Sequence, residues 1–147
     1  MKNDRRGSKV LIPILMVGTF AILSTEMSAV GILPTIADRF GLSITEAGVT
    51  VSLFAAVVMV SALITPLIAS RFERKRMMLL VLAVFVAGNV CAAFASDFAT
   101  FLVARTVPAV VHPIYCSLAL TVAAEVAAEG EVSRNVSKVI MGVSSGM

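Results

Sequence analysis

The chain has 147 residues, of which 59% are hydrophobic and only 14% are charged, and its mean hydropathy is +0.98. These values lie far outside the range of soluble domains, so they exclude a soluble enzyme and indicate a protein whose main solvent is lipid. The formal net charge is +3, and we expect it to reflect membrane topology instead of binding to nucleic acid.

Long apolar runs predict the elements of the fold. In lipid the backbone amides must be satisfied within the protein, and uninterrupted runs favour helices over a barrel. A helix needs roughly 20 residues to cross a hydrocarbon core about 30 Å thick. We therefore predict an all-α integral membrane fold with four complete transmembrane helices and the start of a fifth. The approximate spans are 10–33, 48–69, 77–95, 98–122 and, as a partial span, 136–147.

The first run, 10–33, has two interpretations. Four basic residues within the first nine positions precede it, as in a signal peptide. However, the run is long, contains Glu26 and lacks a clear small-x-small cleavage site. We therefore expect an uncleaved first span.

Glu26, within this first span, is the clearest candidate functional residue. A carboxylate inside a span costs on the order of 2.5–3.5 kcal/mol unless it is neutralised, hydrated or paired. In one interpretation, Glu26 is an acid that forms a hydrogen bond to a neighbouring helix or lies near the membrane interface. In the other, which we favour, it is a titratable group beside a polar pathway. We expect its side chain to face the interior of the bundle.

The connector after the first span contains signals for helix ends. Gly41 can end one helix, and Ser43 with Glu46 has the spacing of a capping box ahead of the second span. Before the fourth span, Ser96 or Asp97 can act as the N-cap.

Basic residues are concentrated in alternate connectors. Ten of the twelve Lys and Arg residues lie before the first span, between the second and third, or after the fourth, and such residues are retained on the cytoplasmic side. We expect a multi-pass protein of the inner (plasma) membrane with a cytoplasmic N-terminus. The ten residues are Lys2, Arg5, Arg6, Lys9, Arg71, Arg74, Lys75, Arg76, Arg134 and Lys138.

Arg105 and His112 are polar residues in the fourth span. The guanidinium is effectively always charged, so Arg105 requires a partner or water. Arg105 and Glu26 each lie roughly 12 Å from the outer end of their spans, and we expect them to pair or to share a water. His112 lies on the same helix face as Arg105 and is either a hydrogen-bonded core residue or part of the pathway. Pro108 and Pro113 predict a kink or an opened carbonyl nearby.

The sequence contains no pattern of a catalytic or metal site. It has one histidine and two cysteines, with no CxxC or HExxH pattern, phosphate-binding glycine loop or nucleophile elbow. We expect no enzymatic activity, no cofactor and no metal. We expect Cys91 and Cys116 to pack within their spans without forming a disulfide. We expect Asn89, in the third span, to form a hydrogen bond between helices.

Two segments carry a resemblance to a transporter family. TEMSAVGILPTIADRFGLSITEAGVTVSLFA, at 25–55, is similar to the TE…GLLP.IA…S…AG..VS pattern of the drug:proton antiporter branch, with twelve spans, of the major facilitator superfamily. ARTVPAVVHPIYCSLALTVAA, at 104–124, resembles that family's R-x-x-x-A-x-x-H motif. Arg105 and His112 match this motif, whereas Pro113 follows where relatives have Gly.

The connector SRFERKRMMLL, at 70–80, partly resembles the family's loop signature G-x-L-a-D-R-x-G-R-R. Its basic character is kept, but three signature positions differ, and the Asp to which the family's charge latch is attributed is replaced here. The basic residues are Arg71, Arg74, Lys75 and Arg76, and the departures are Pro66 for the first Gly, Ser70 for the Asp and Glu73 for the second Gly.

The resemblance implies the N-terminal part of a major-facilitator six-helix bundle, over about the first third of a full carrier. It implies a secondary transporter that exchanges protons for small organic compounds, drugs or sugars, across the cytoplasmic membrane, with Glu26, Arg105 and His112 along the pathway. The implied partners are the lipid bilayer, the substrate and protons. Two alternatives stay open, which are a self-contained four-span oligomeric exporter and a non-transporting truncated membrane protein.

Overall fold

The fold consists of helices packed in two units. A computed structural model describes residues 4–128 and 130–147, and for residues 4–9 it describes the backbone alone. Lys2 therefore lies outside the described residues, as do the side chains of Arg5, Arg6 and Lys9. The described residues form six helices, which are α1 (Asp4–Gly31), α2 (Leu33–Phe40), α3 (Ile44–Ala69), α4 (Arg74–Ala93), α5 (Phe98–Glu125) and α6 (Val132–Gly146).

Four of these helices are long and apolar enough to cross a membrane. They are the part of α1 from Val10 to Gly31, together with α3, α4 and α5. Large apolar side chains lie on the outer surface of α3, where Leu63 is 75% and Leu67 is 71% exposed. Such a surface is unfavourable in water and favourable against lipid tails. The predicted all-α membrane fold with four spanning helices is confirmed.

The connector between the first two spans contains a helix, α2, that the sequence analysis did not predict. Pro34 lies in the first turn of α2, where a missing N–H costs nothing and the fixed φ favours a helix start. Gly41 ends α2 with a φ of 64°, in the left-handed region that glycine adopts without strain. The predicted role of Gly41 as a helix end is confirmed.

The N-caps of α3 and α5 follow the predicted spacing. The backbone N–H of Glu46 donates to Ser43 Oγ at 3.2 Å, and the N–H of Ser43 donates to Glu46 Oε2 at 2.8 Å, so the capping box is confirmed. At the start of α5 the cap is Asp97, whose Oδ1 accepts from the N–H of Thr100 at 2.9 Å. These bonds satisfy backbone donors that helices leave open at their first turn.

Helices α4 and α6 begin before the apolar runs that predicted them. Helix α4 begins at Arg74, three residues before the predicted span, and α6 begins at Val132, four residues before. Arg and Lys are good helix formers, so a helix continues into basic residues that lipid does not cover. The apolar runs therefore indicate which residues lie in lipid, but they do not indicate the residue at which each helix begins.

One compact unit combines residues up to 27 with residues from 116 onward. In it, α6 packs closely on α1 because Gly142 and Gly146 carry no side chain. A Cβ atom on Gly142 would lie 2.6 Å from Thr19 Oγ1, and one on Gly146 would lie 2.7 Å from the carbonyl of Phe20. Small residues at a contact let two membrane helices approach in this way. Thr19, fully buried, lies within hydrogen-bond distance of the Val139 carbonyl, at 3.4 Å.

The second unit comprises residues 28–115. Its core is built of small residues and a few large ones, which are Ile36, Ala37, Ala47, Ala92, Ala95, Phe101 and Ala104. At its edge Arg39 donates to the carbonyls of Ala93, at 3.1 Å, and Ala95, at 2.7 Å. These bonds fasten α2 to the end of α4, where helix carbonyls lack intrahelical donors.

Candidate functional site

The polar residues that the sequence singled out in the fourth span lie within the second unit, among α3, α4 and α5. Arg105 and His112 both lie on α5. Around them the structure places Asn89 of α4 and two aromatic residues, Phe54 of α3 and Phe85 of α4. The site is therefore a polar stripe on one helix that faces aromatic rings on its two neighbours.

Arg105 is half-buried and is held from two sides. Its Nη1 donates to Oδ1 of Asn89 at 3.3 Å, and its Cζ lies 5.9 Å from the centroid of the Phe54 ring. A guanidinium over an aromatic face gains a cation–π attraction, which strengthens where water is excluded. The predicted need of Arg105 for a partner is thus met, at least in part, by an amide oxygen and an aromatic ring.

Asn89 is oriented for this contact by a second hydrogen bond. Its Nδ2 donates to the carbonyl of Phe85, one turn earlier in α4, at 2.7 Å. With the amide nitrogen turned to its own helix, the amide oxygen points to Arg105. The predicted interhelical hydrogen bond of Asn89 is confirmed, and its partner is the charged residue of the site.

His112 is buried between two phenylalanine rings. Its ring centroid lies 6.1 Å from that of Phe54, nearly edge-on, and 6.1 Å from that of Phe85, in a tilted arrangement. Aromatic rings at this distance and angle attract each other through their quadrupoles. Phe54 therefore contacts both polar residues of α5, and His112 lies in a largely apolar setting. The choice between a core role and a pathway role stays a prediction.

The two prolines of α5 open backbone carbonyls in the site. Pro113 has no N–H, so the carbonyl of Ala109, four residues before it, loses its usual helical donor. The hydroxyl of Ser61, on α3, lies within hydrogen-bond distance of that carbonyl, at 3.3 Å, and of the Val58 carbonyl in its own helix, at 3.2 Å. The Ala109 carbonyl is the opened carbonyl near His112 that the prolines predict. A hydrogen bond from Ser61 would join α3 to α5 at a carbonyl that lacks its usual helical donor.

Pro108 has the same effect one turn earlier, at the carbonyl of Ala104. There α4 approaches closely, because Gly88 has no side chain. A Cβ atom on Gly88 would lie 2.8 Å from the Ala104 carbonyl and would overlap the ring of Pro108. The close approach keeps Asn89, the next residue of α4, within reach of Arg105.

Glu26 lies in the other unit, near the end of α1. Its side chain is half-buried, and its carboxylate lies within electrostatic range of the Cys116 thiol. Because Glu26 and Arg105 belong to different units, their pairing stays a prediction. The expectation that Glu26 faces a pathway stays a prediction as well.

The basic residues of the loop motif, Arg71, Arg74, Lys75 and Arg76, are all exposed. Arg76 forms an ion pair with Glu73 at 2.7 Å, between two exposed side chains. Such pairs contribute little to stability. In the described residues, no group of three or more His, Cys, Asp or Glu side chains is arranged to hold a metal ion.

Sequence reasoning missed Phe54, Phe85 and Ser61. The two phenylalanines lie in apolar runs where nothing distinguishes them from lipid-facing neighbours. Ser61 had an indirect signal, because a proline on a neighbouring helix leaves a carbonyl that needs a donor. The sequence does not say which helix supplies that donor.

Comparison with known proteins gives consistent matches over most of the chain. The family model of the Major Facilitator Superfamily matches residues 15–147. The chain is 37% identical over 141 residues to the uncharacterized MFS-type transporter YtbD of Bacillus subtilis. The aligned region covers 94% of this chain and 36% of that protein. The chain is also 33% identical over 138 residues to the inner membrane transport protein YdhP of Escherichia coli, where the aligned region covers 92% and 36%.

A more distant relative has a name that includes a substrate class. The chain is 25% identical over 134 residues to a probable sugar efflux transporter of Mannheimia succiniciproducens, which covers 91% of this chain and 34% of that protein. In all three comparisons the chain spans about a third of the relative's length.

Proposed function

The chain belongs to the Major Facilitator Superfamily, and on that basis we propose that the complete carrier containing it expels small organic compounds, drugs or sugars, in exchange for protons. The carrier works by alternating access between two repeat bundles, of which this sequence supplies most of the first. It lies in the inner membrane with its N-terminus and the connector at 70–73 on the cytoplasmic side.

The observation that carries the proposal is the cation fixed inside the fourth span. Arg105 keeps its charge, and the structure holds it with Asn89 and beside Phe54. A charge at this depth is costly, so residues of this kind in membrane helices mark pathways for protons and substrates. Arg105 acts as the fixed positive charge of the proton-coupled step, and His112, on the same helix face, lines the pathway.

Glu26 is the group that carries the proton in this proposal. It is the acid of the first candidate span, and it alternates between a wet and a shielded setting as the carrier changes conformation. A conformational change alters proton affinity only if the carboxyl group interacts differently with its surroundings in the two states. Export of small organic compounds is supported by the resemblance of 25–55 to efflux carriers and by the relative named as a probable sugar efflux transporter.

The test is substrate-driven proton flux in proteoliposomes of the complete carrier, followed with a pH-sensitive dye. Glu26→Gln keeps the shape and removes the titratable proton, so proton flux is lost while the carrier still folds. Arg105→Lys keeps the charge but removes the planar fork that binds Asn89, and it reduces flux less than Arg105→Ala. Glu131→Gln, at an exposed acid, is the matched control and leaves flux unchanged.

The double variant Glu26→Gln with Arg105→Ala tests whether the two residues act in one step. If they do, its loss of coupling is smaller than the two single losses combined. Undiminished proton coupling in Glu26→Gln removes Glu26 from the mechanism and makes it a packing residue. Proton-driven export by the purified chain 1–147 would instead support the self-contained exporter.

A further inference from the structure

The turn between α3 and α4 and the first turn of α4 present a concentrated positive surface, here named the basic connector (residues 71–76). All six of its residues are exposed. It contains four basic side chains and a single acid, Glu73, which pairs with Arg76 at 2.7 Å. Phe72 also lies on this surface, with 58% of its area exposed.

The basic connector is confined to a membrane surface by the helices on both sides. Helix α3 ends at Ala69 and α4 begins at Arg74, and both are long and apolar enough to span a bilayer. Four intervening residues reach no farther from the helix ends than about one Debye length, roughly 8–10 Å. Its charges are therefore always close enough to lipid headgroups to interact with them.

The charges at the start of α4 lie where a helix usually disfavours them. Three cations occupy the start of α4, whose first turn has no acidic residue and whose N-cap, Glu73, makes no side-chain cap bond. Positive charge is disfavoured at this end of a helix by the helix dipole. Retention on the cytoplasmic side requires only that basic residues lie near a span, not that they fill the first turn beside an exposed aromatic ring.

We propose that the basic connector is a binding surface for the headgroups of anionic phospholipids. The cations attract the phosphates, and the apolar ring of Phe72 inserts at the boundary between headgroups and acyl chains. Lipid binding at this surface requires neither proton coupling nor a transported substrate, so it is independent of the proposed function.

The experiment uses the whole chain, residues 1–147, in lipid nanodiscs. The chain contains no tryptophan, so Phe72→Trp introduces a single tryptophan, whose fluorescence reports on the basic connector. Quenching by brominated phosphatidylglycerol is compared with quenching by brominated phosphatidylcholine. Both leaflets have the same composition, so the result does not depend on orientation. We expect stronger quenching by the anionic lipid, and we expect this preference to weaken as salt is added.

Charge removal then tests the cause of the preference. In the Phe72→Trp background, Arg71→Gln with Lys75→Gln lowers the preference on the order of 25-fold, about fivefold for each charge. The charge-conserving pair Arg71→Lys with Lys75→Arg keeps it. The matched control, Arg134→Gln with Lys138→Gln, removes the same charge from the stretch around α6 and leaves the preference at Phe72→Trp unchanged.

Three outcomes overturn the proposal. One is equal quenching by the two brominated lipids in the parent chain, and another is an equal loss of preference in the control pair. The third is relief of quenching by inorganic phosphate at constant ionic strength, which would assign the surface to a free anion. Unchanged helicity by circular dichroism in each variant shows that the differences do not arise from unfolding.

Discussion

At the scale of single residues, Pro113 and Ser61 form a complementary pair. The proline removes a donor from α5, and the hydroxyl of the α3 serine lies within hydrogen-bond distance of the Ala109 carbonyl that has lost it, at 3.3 Å. In the hydrocarbon core of the membrane, no water is available to donate a hydrogen bond to such a carbonyl. The pair shows how a proline inside a membrane helix can add a contact between helices.

We predict that Ser61→Ala destabilises the protein by about 1 kcal/mol, because the carbonyl of Ala109 then lacks a donor. In a Pro113→Ala background the same substitution costs much less, since residue 113 now supplies its own N–H. The measurement is unfolding in detergent for the four chains of this double-mutant cycle. Ser52→Ala is the control, because Ser52 is exposed and bonds only within its own helix. Equal costs of Ser61→Ala in both backgrounds would contradict the pairing.

A second residue-scale prediction concerns Asp97 and pH. The backbone N–H of Thr100, and then its hydroxyl, donate to this exposed carboxylate and lower its pKa. A lowered pKa in the folded chain stabilises the fold above the unfolded pKa of about 3.9, and this stabilisation is lost as the pH falls through the folded pKa.

The difference in melting midpoint between wild type and Asp97→Asn isolates this effect, because asparagine can cap the helix without titrating. We expect wild type to be more stable at neutral pH and its advantage to shrink below about pH 4. The measurement is thermal unfolding by circular dichroism over an acid pH series. A difference that does not change with pH would show that the carboxylate charge contributes nothing.

Single residues can be identified from the sequence where their chemistry is rare in lipid. Arg105, His112 and Asn89 stand out in apolar runs, and the sequence predicted that the charge needs a partner. Phe54 and Phe85 were not predicted, because α3 and α4 carry apolar residues on buried and exposed faces alike. Without a polar face, the sequence does not show how these helices are rotated about their axes.

At the scale of elements, the contact between α4 and α5 depends on a glycine. Gly88 lies against the Ala104 carbonyl and the Pro108 ring, neither of which can move as a flexible side chain would. By contrast Gly48, in α3, has open space where a Cβ atom would lie. Substitution by alanine should therefore have different effects on stability at these two glycines.

We predict that Gly88→Ala destabilises the protein by about 1–3 kcal/mol, because it forces α4 away from α5. Gly48→Ala should be neutral or stabilising by up to about 1 kcal/mol, because alanine favours helix without a steric cost. Both are measured by unfolding in detergent. Equal effects of the two substitutions would mean that the close approach at Gly88 is not required.

Two different physical effects made the helices predictable, one acting on span length and one acting at helix ends. Span lengths follow from the thickness of the hydrocarbon core, and the capping box and Gly41 follow from local hydrogen bonding and backbone freedom. Helix α2 was missed because Pro34 indicates both the end of one helix and the start of another. Local signals of this kind do not distinguish a loop from a short helix.

At the scale of the whole molecule, the candidate residues fall in different compact units. Glu26 belongs to the unit of residues up to 27 and from 116 onward, and Arg105 belongs to the unit of residues 28–115. The structure therefore describes the contacts of each residue within its own unit, and the pairing of Glu26 with Arg105 stays a prediction.

Membrane orientation is the remaining whole-molecule property, and it rests on the distribution of charge. Basic residues are concentrated at the start of the chain and of α1, around the turn between α3 and α4, and in the first half of α6. By contrast, the stretch between α1 and α3 that contains α2 has one basic residue, Arg39. Moving Lys or Arg across the bilayer is costly, so we expect the basic ends of the spans to stay in the cytoplasm.

We predict that single cysteines at Lys9 and Lys75 react with a membrane-impermeant maleimide only after the cells are opened, and that a cysteine at Asp38 reacts in intact cells. The native thiols, Cys91 and Cys116, are free and are first replaced by alanine. Asp38 is the matched control, because it lies in α2 on the opposite side of the first span and is exposed. Labelling of Lys9→Cys or Lys75→Cys in intact cells would reverse the orientation. The anionic lipids that contact the basic connector would then be those of the outer leaflet.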